Sequence, residues 1–244
     1  MARYTDLPTL FVDFLKPGKM SFDVKGGGID SGRNGLGESI SIEMTGGGMM
    51  VASYENCFAQ SPEEHEYGNF VAARMNGSFR FINVPILSDW MGPFPTTNGI
   101  PQPTISGIPH SDGSKFSDAS GYSQATVYGT VTEDAPLNAG TLKMQLFGAG
   151  RKLRWSDWFS IYHPTKGWRA YRYWEVDDID ETDPDSPIYM ISIAPALREA
   201  VSAGDRVEFA RPRCVMKFPT GFTLPWEVEG FWRSNPTIQF VEAF

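Results

Sequence analysis

Cysteine is scarce in this chain. Its 244 residues contain two, Cys57 and Cys214, far apart in sequence. That excludes a disulfide framework. Two buried free thiols are the expected arrangement, with a single disulfide as the alternative. Histidine is also sparse: His65, His110 and His163 are isolated from one another and from both cysteines. No HExxH or CxxC occurs, so a zinc site has little support. His110-Ser111-Asp112 contains the residue types of a hydrolase triad, but adjacent residues cannot face one another in that geometry. His65 is expected as a solvated residue in the first turns of a helix, and His163 precedes Pro164 in a hairpin turn. No run approaches the ~18 consecutive apolar residues of a membrane span, and no basic start leads into an apolar leader. A soluble product made in the cytoplasm, with no membrane insertion, is therefore expected. Positive charge is in deficit, with 21 Lys and Arg against 29 Asp and Glu and a net charge of -8. A partner held through nucleic-acid phosphates needs a basic stripe, and this balance argues against one.

Turn formers and aromatics are plentiful. Twenty-five glycines and eighteen prolines suit many short strands, and an aromatic fraction of 14% implies large buried contacts in a core or between subunits. The length allows one large β domain or two small ones. Gly140–Phe218 is the most patterned stretch. Trp158–Tyr162 is an apolar run. Trp168 to Val176 alternates, with Trp168, Ala170, Arg172, Trp174 and Val176 on one face and Arg169, Tyr171, Tyr173 and Glu175 on the other. Tyr189, Ile191 and Ile193 share a face, the period of a pleated strand. Pro195 to Gly204 then reads as a short helix started by Pro and stopped by Gly, and Asp205–Phe209 resumes the alternation.

Leu10–Leu15 is predicted as a first strand ending at Lys16-Pro17-Gly18. The glycine triplets at 26–28 and 46–48 lack the Lys-Ser/Thr ending of a phosphate loop and read as flexible turns, with Ser39–Met44 a strand between them. Ser61-Pro62-Glu63-Glu64 is a capping box opening a helix that carries Phe70, Val71, Arg74 and Met75 and stops at Gly77. Ser78–Val84 follows as a strand with Phe79 and Phe81 on one side, and Thr126–Val131 as another. The acids at 177, 178, 180, 181, 183 and 185 lack the turn glycine and closing Glu of a calcium loop. Pro184 and Pro187 mark them as an exposed hairpin connection. Neither they nor Glu227 and Glu229 have a fixed separation, so no glycosidase pair follows.

The predicted fold class is mainly β, a β-sandwich or β-barrel with one or two short helices and long extensions. The expected parts are a β-rich 1–91 with one helix, a long flexible loop or arm at 92–125, a β-meander or barrel at 126–218 with one short helix, and a C-terminal arm at 219–244. Gly92–Ala125 is too long for an ordinary connection, so it is expected as a mobile loop or as an arm ordered by another subunit. The arm's aromatics Trp226, Phe231, Trp232 and Phe240 are the candidate subunit-interface residues. No catalytic, cofactor or metal residue is assigned, and no enzyme activity is expected.

Four segments carry a family resemblance: Arg172-Tyr173-Trp174-Glu175-Val176, Ile193 to Ala200, Gly204 to Phe209, and Arg211 to Phe218. Together with Phe70 to Gly77 and Val84-Pro85-Ile86, they resemble minor structural proteins of long-tailed bacteriophage tails, in particular distal tail and tail-tip proteins. The resemblance implies a virion protein that forms a homo-oligomeric ring, sixfold or threefold with repeated modules, at the distal end of the tail tube. Its partners would be other copies of itself, the tube protein, and hub or fibre proteins of the tip or baseplate. DNA would pass only in transit through the lumen. The competing classes are a carbohydrate-binding β-sandwich, which would present clustered Trp and Tyr on one rigid face, and a secreted or virion-associated hydrolase.

Overall fold

Alternation of apolar and polar residues becomes strand nearly everywhere in the computed structural model, which describes residues 4–43, 47–86, 92–155, 157–224, 230 and 235–244. In chain order these carry a 3-10 turn (Val12–Phe14), β1 (Pro17–Lys25), β2 (Gly28–Arg33), β3 (Ser39–Glu43), β4 (Met49–Cys57), helix α1 (Pro62–Met75) and β5 (Ile82–Pro85). Then come β6 (Thr96–Thr97), β7 (Ile100–Pro101), β8 (Thr104–Ile108), β9 (Tyr122–Ala125), β10 (Tyr128–Val131), β11 (Thr141–Phe147) and β12 (Trp158–His163). The series ends with β13 (Gly167–Asp180), β14 (Ile188–Ala194), β15 (Arg206–Glu208), β16 (Arg213–Lys217) and β17 (Ile238–Glu242). The fold is mainly β and includes a closed barrel. Two compact units divide the chain, and neither is continuous in sequence.

The first unit gathers Met1–Pro85, Pro164–Trp168 and Cys214–Phe244. Its sheet has the order β1-β4-β17-β16-β5. The end of the chain is thus not a free arm: β17 is an interior strand, pairing Ile238 with Tyr54 and Val241 with Val51 on β4, and Met216 with Glu242 on β16. Met50, Ala52 and Tyr54 alternate into the core, and the Tyr54 hydroxyl donates to the Pro85 carbonyl at 2.5 Å. The capping box forms as read. The Ser61 hydroxyl accepts from the Glu64 N–H at 3.3 Å, and the Glu64 carboxylate accepts from the Ser61 N–H at 3.2 Å and the Gln60 N–H at 2.6 Å. Gly77, at a φ of +87°, turns the chain out of the helix where a side chain would be strained.

Glu64 is also ion-paired with Lys16. That bond, reinforced by the two backbone N–H groups, holds its carboxyl below the ordinary value of 4.5 despite its burial. A depressed folded-state value means stability fully present above pH 4.5 and lost as the pH falls through the folded value. Glu64→Gln should therefore flatten the acid limb of a melting-temperature profile below pH 4.5, and an unchanged limb would show that Glu64 does not carry it.

Three readings differ here. Leu10–Leu15 is not a strand. The N–H groups of Leu15 and Lys16 close onto the Val12 carbonyl at 2.8 and 3.0 Å, and the Phe11 N–H is taken by the Tyr67 hydroxyl at 2.7 Å, so the backbone is satisfied as a turn against α1. The strand begins where that one was expected to end, at Pro17. His65 is buried, because the inward stripe of α1 is Glu64, His65, Gly68, Val71 and Met75, while Phe70 stays exposed. The strand expected over Ser78–Val84 is limited to β5, leaving Phe79 exposed.

The second unit comprises Ile86–His163 and Arg169–Arg213. Its barrel closes in the order β10-β11-β14-β13-β12-β15, with β15 returning to β10. Tyr189, Ile191 and Ile193 point inward, as the alternation required, and meet Leu142, Leu146 and Phe209 in one core. Gly129 lies between β11 and β15, and a Cβ there would come within 3.1 Å of the Val207 Cβ. Strand β13 departs from simple alternation. Register shifts between Tyr173 and Glu175 and between Val176 and Asp178 mark two β-bulges, so Val176 and Ile179 pack on the core that Tyr171 and Tyr173 enter.

Pro195–Gly204 is not helical. Leu197 exchanges backbone hydrogen bonds with Asn138 and Ala139 at 2.9 and 3.0 Å, and Val201 exchanges two with Ala135, both at 2.9 Å. Partners across the barrel mouth use the groups a helix needs internally, and Leu197 and Val201 are buried there. Gly92–Ala125 is likewise not structureless: it folds into the β6–β7 and β8–β9 hairpins and seats Phe94 in the barrel core. Beyond β8, Asp112 and Asp118 accept from the backbone of Ser114 and Ser120, both at 2.9 Å. His110, Phe116 and Tyr122 close the tip with mutual ring contacts of 4.9 to 5.1 Å.

Candidate functional site

Three of the four aromatics read as interface anchors, Trp226, Phe231 and Trp232, lie outside the described residues. The fourth, Phe240, is in β17 and buried in its own unit, its ring 6.0 Å from Tyr54 and 5.6 Å from Phe218. Its side chain belongs to the core, because alternation along an interior strand sends Ile238 and Phe240 inward together.

The surface that looks built for contact lies at the other end of the chain. Strand β1 pairs with β4 and is an edge of its sheet. Met20, Phe22 and Val24 continue the core-facing row of Tyr54, Ala52 and Met50, but at the edge they are only partly covered, and Met20 is exposed. Two glycines after β1, the chain enters the β2–β3 hairpin, whose strands form a two-stranded sheet of their own among the described residues. Its cross-strand pair Ile29–Ile42 is exposed, 54% and 57%, and Leu36 at the turn is 86% exposed. The turn itself is well made: the Asn34 side-chain oxygen accepts from the N–H groups of Leu36 and Glu38, both at 2.9 Å. A lone two-stranded hairpin is marginal in water unless its apolar face packs on something. A groove of about 580 Å³ crosses the sheet on the face of Val51, Gln239 and Val241, ending at Lys217 and Phe244.

His163 and Asp183 have hydrogen-bond partners within the barrel unit. The buried His163 is hydrogen-bonded through Nε2 to the Tyr171 hydroxyl at 2.8 Å, and that oxygen accepts the Arg198 N–H at 3.1 Å. Asp183 closes the β13–β14 connection by accepting from the Ser186 hydroxyl at 2.6 Å. Among the described residues no group of three or more His, Cys, Asp and Glu could hold a metal ion, and no helix is long and apolar enough to cross a membrane. In the barrel unit, Arg206, Arg211 and Arg213 line a cleft of about 270 Å³ beside Glu208. Glu208 accepts from the N–H groups of Ala210 and Arg211 at 2.9 and 3.2 Å, and Arg206 lies over the Tyr128 ring at 4.9 Å. Burial, with Arg211 adding repulsion, lowers the Arg213 guanidinium.

Both cysteines are buried thiols outside any disulfide. Burial pushes the Cys57 thiol up to about 12, so its reactive thiolate is scarce near neutral pH. An aromatic disulfide reagent should therefore titrate neither thiol in the native protein and two per chain in denaturant. Rapid native labelling of Cys57 would contradict its placement.

No protein-family model and no curated protein matches the chain. The likeness to phage tail proteins rests on the sequence segments quoted for it.

Proposed function

We propose that the protein is a structural component of a long-tailed phage tail, in which copies form a ring at the distal end of the tail tube and join it to the tip or baseplate. The observation that supports this best is the β2–β3 hairpin, with Ile29, Leu36 and Ile42 in solvent and its root at the end of β1. Such a hairpin is suited to lie on the next copy, and among the described residues β1 beside it is an edge strand. Edges of this kind invite pairing unless they are blocked. Repeated head to tail around an axis, one heterologous contact closes a ring. The net charge of -8 suits a lumen through which DNA slides without sticking. On this reading the protein acts in the virion, is made in the host cytoplasm and carries no catalytic centre or cofactor.

Mass photometry of the purified protein together with electron microscopy of virions tests the proposal. A closed ring of about six copies, or a threefold equivalent, and density for the protein at the distal end of the tube are the expected results. A strictly monomeric protein absent from particles would end it.

A further inference from the structure

Two indoles of the barrel unit stand in solvent. Trp155 is 75% exposed and Trp174 is 56% exposed, and both line one shallow concavity of about 880 Å³ with Arg154, Tyr173, Glu175 and Val176. Scattered apolar residues on a surface are ordinary, but two large rings sharing one concavity are not.

The backbone that carries each ring is held by a specific device. Tyr173 pairs with Ile193 while Glu175 pairs with Ser192, its immediate neighbour, so Trp174 is the extra residue of a β-bulge. A bulge takes a side chain out of the strand's alternation and re-aims it. Trp155 lies in a turn closed by the Asp157 N–H donating to the Arg154 carbonyl at 2.8 Å. The Asp157 carboxylate is wholly buried. It accepts the Arg154 N–H at 2.8 Å and both terminal nitrogens of Arg151 at 2.6 and 2.8 Å. Arg151 donates in addition to the carbonyls of Gly92 at 2.7 Å and Lys152 at 2.9 Å. A buried bidentate pair fixes geometry at a large desolvation cost, and what it fixes here is the turn that puts Trp155 in water.

Flat, pre-positioned aromatic faces with hydrogen-bonding groups at their margin match the chemistry of a pyranose. One face of the sugar presents C–H groups to the ring, and its equatorial hydroxyls reach outward to polar side chains. Arg154 and Glu175 supply one cation and one anion, a balance that favours a neutral sugar over an acidic or a basic one. A lipid surface would be opposed by Glu175, which would have to leave water beside the two rings. We propose that the concavity holding Trp155 and Trp174 binds a neutral, unbranched oligosaccharide of hexopyranose units. This goes beyond the ring reading and does not depend on it.

The test uses the full chain, ¹⁵N-labelled, with cellohexaose, maltohexaose and chitohexaose as probes. The chain has seven tryptophans, and the expected result is that one or more probes shift the indole N–H signals of two of them, those missing from the spectra of Trp155→Ala and Trp174→Ala. Each substitution should weaken binding about tenfold or more while leaving the melting temperature unchanged, because both rings are exposed. Three results would each overturn the proposal: no probe moves any indole signal, binding survives in the double variant, or the double variant changes oligomeric state, which would place these rings between copies.

Discussion

Replacing Ile29 and Ile42 with Thr and Leu36 with Ser should abolish assembly and leave the isolated subunit folded. All three side chains are more than half exposed, so their removal takes little from the unit's own core. Surface changes of this kind usually stay within about 0.5 kcal/mol of the parent. In a ring the same side chains would be covered by a neighbour. Removing a central apolar cluster from an interface typically costs about 2 kcal/mol or more, a thirtyfold weakening at each contact. A ring multiplies that loss over every junction, so at micromolar protein the parent should run as an oligomer and the triple variant as a monomer in mass photometry. Threonine keeps the β-branched shape at the strand positions, and no charge is added, so failure to assemble could not be blamed on a broken hairpin or on repulsion. If the variant forms the same oligomer as the parent, the hairpin is not an assembly arm and the proposed role loses its main support.

What the sequence displayed, and what it hid, can be traced to particular residues. Helix α1 was legible because its start is written locally: Ser61, Pro62 and Glu64 need no tertiary partner to make the cap. Strand β14 was legible because Tyr189, Ile191 and Ile193 share one inward face, and β12 because Trp158–Tyr162 is an apolar run, of which Trp158–Ile161 are all buried. Strand β1 was missed although Met20, Phe22 and Val24 alternate, because Pro17-Gly18 reads as a stop and here marks a start. Strand β17 was hidden by the assumption that terminal aromatics reach outward. Its row includes Glu242, which is buried and accepts the Met50 N–H at 3.1 Å, an inward acid that no hydrophobic pattern announces. Pro195–Gly204 has the letters of a helix, but its backbone groups are taken by residues 135–139, and such competition is settled only in three dimensions.

The exposed surfaces divide in the same way. Nothing local in Ile29 or Ile42 says that their hairpin forms a two-stranded sheet of its own among the described residues. Trp174 looked like a member of an alternating face with Trp168 and Val176, and the bulge that separates it from Val176 carries no glycine or proline to flag it. Trp155 did leave a trace: a lone Trp within Arg151-Lys152-Leu153-Arg154-Trp155-Ser156-Asp157 is out of place in so charged a loop.

Asp157→Ala should be the most damaging single substitution in that loop, costing about 3–5 kcal/mol, because it strips a buried charge of its partner. Asp157 is fully buried and Arg151 largely so, with side-chain exposures of 0% and 21%. The variant leaves the Arg151 guanidinium facing a cavity and orphans the Arg154 N–H in the same step. For a chain of this length such a loss should lower the melting temperature by about 10 °C. Asp157→Asn retains an acceptor for the Arg154 N–H but loses the charge-assisted fork, and its loss should be intermediate. The turn carrying Trp155 hangs on this carboxylate, so Asp157→Asn should also weaken oligosaccharide binding at temperatures where the barrel is fully folded. Calorimetric melting of the three proteins, with titration of the best oligosaccharide probe at 15 °C, separates the two effects. A melting temperature within a degree of the parent for Asp157→Ala would show that the buried pair does not hold the loop, and the case for a pre-positioned Trp155 would fall with it.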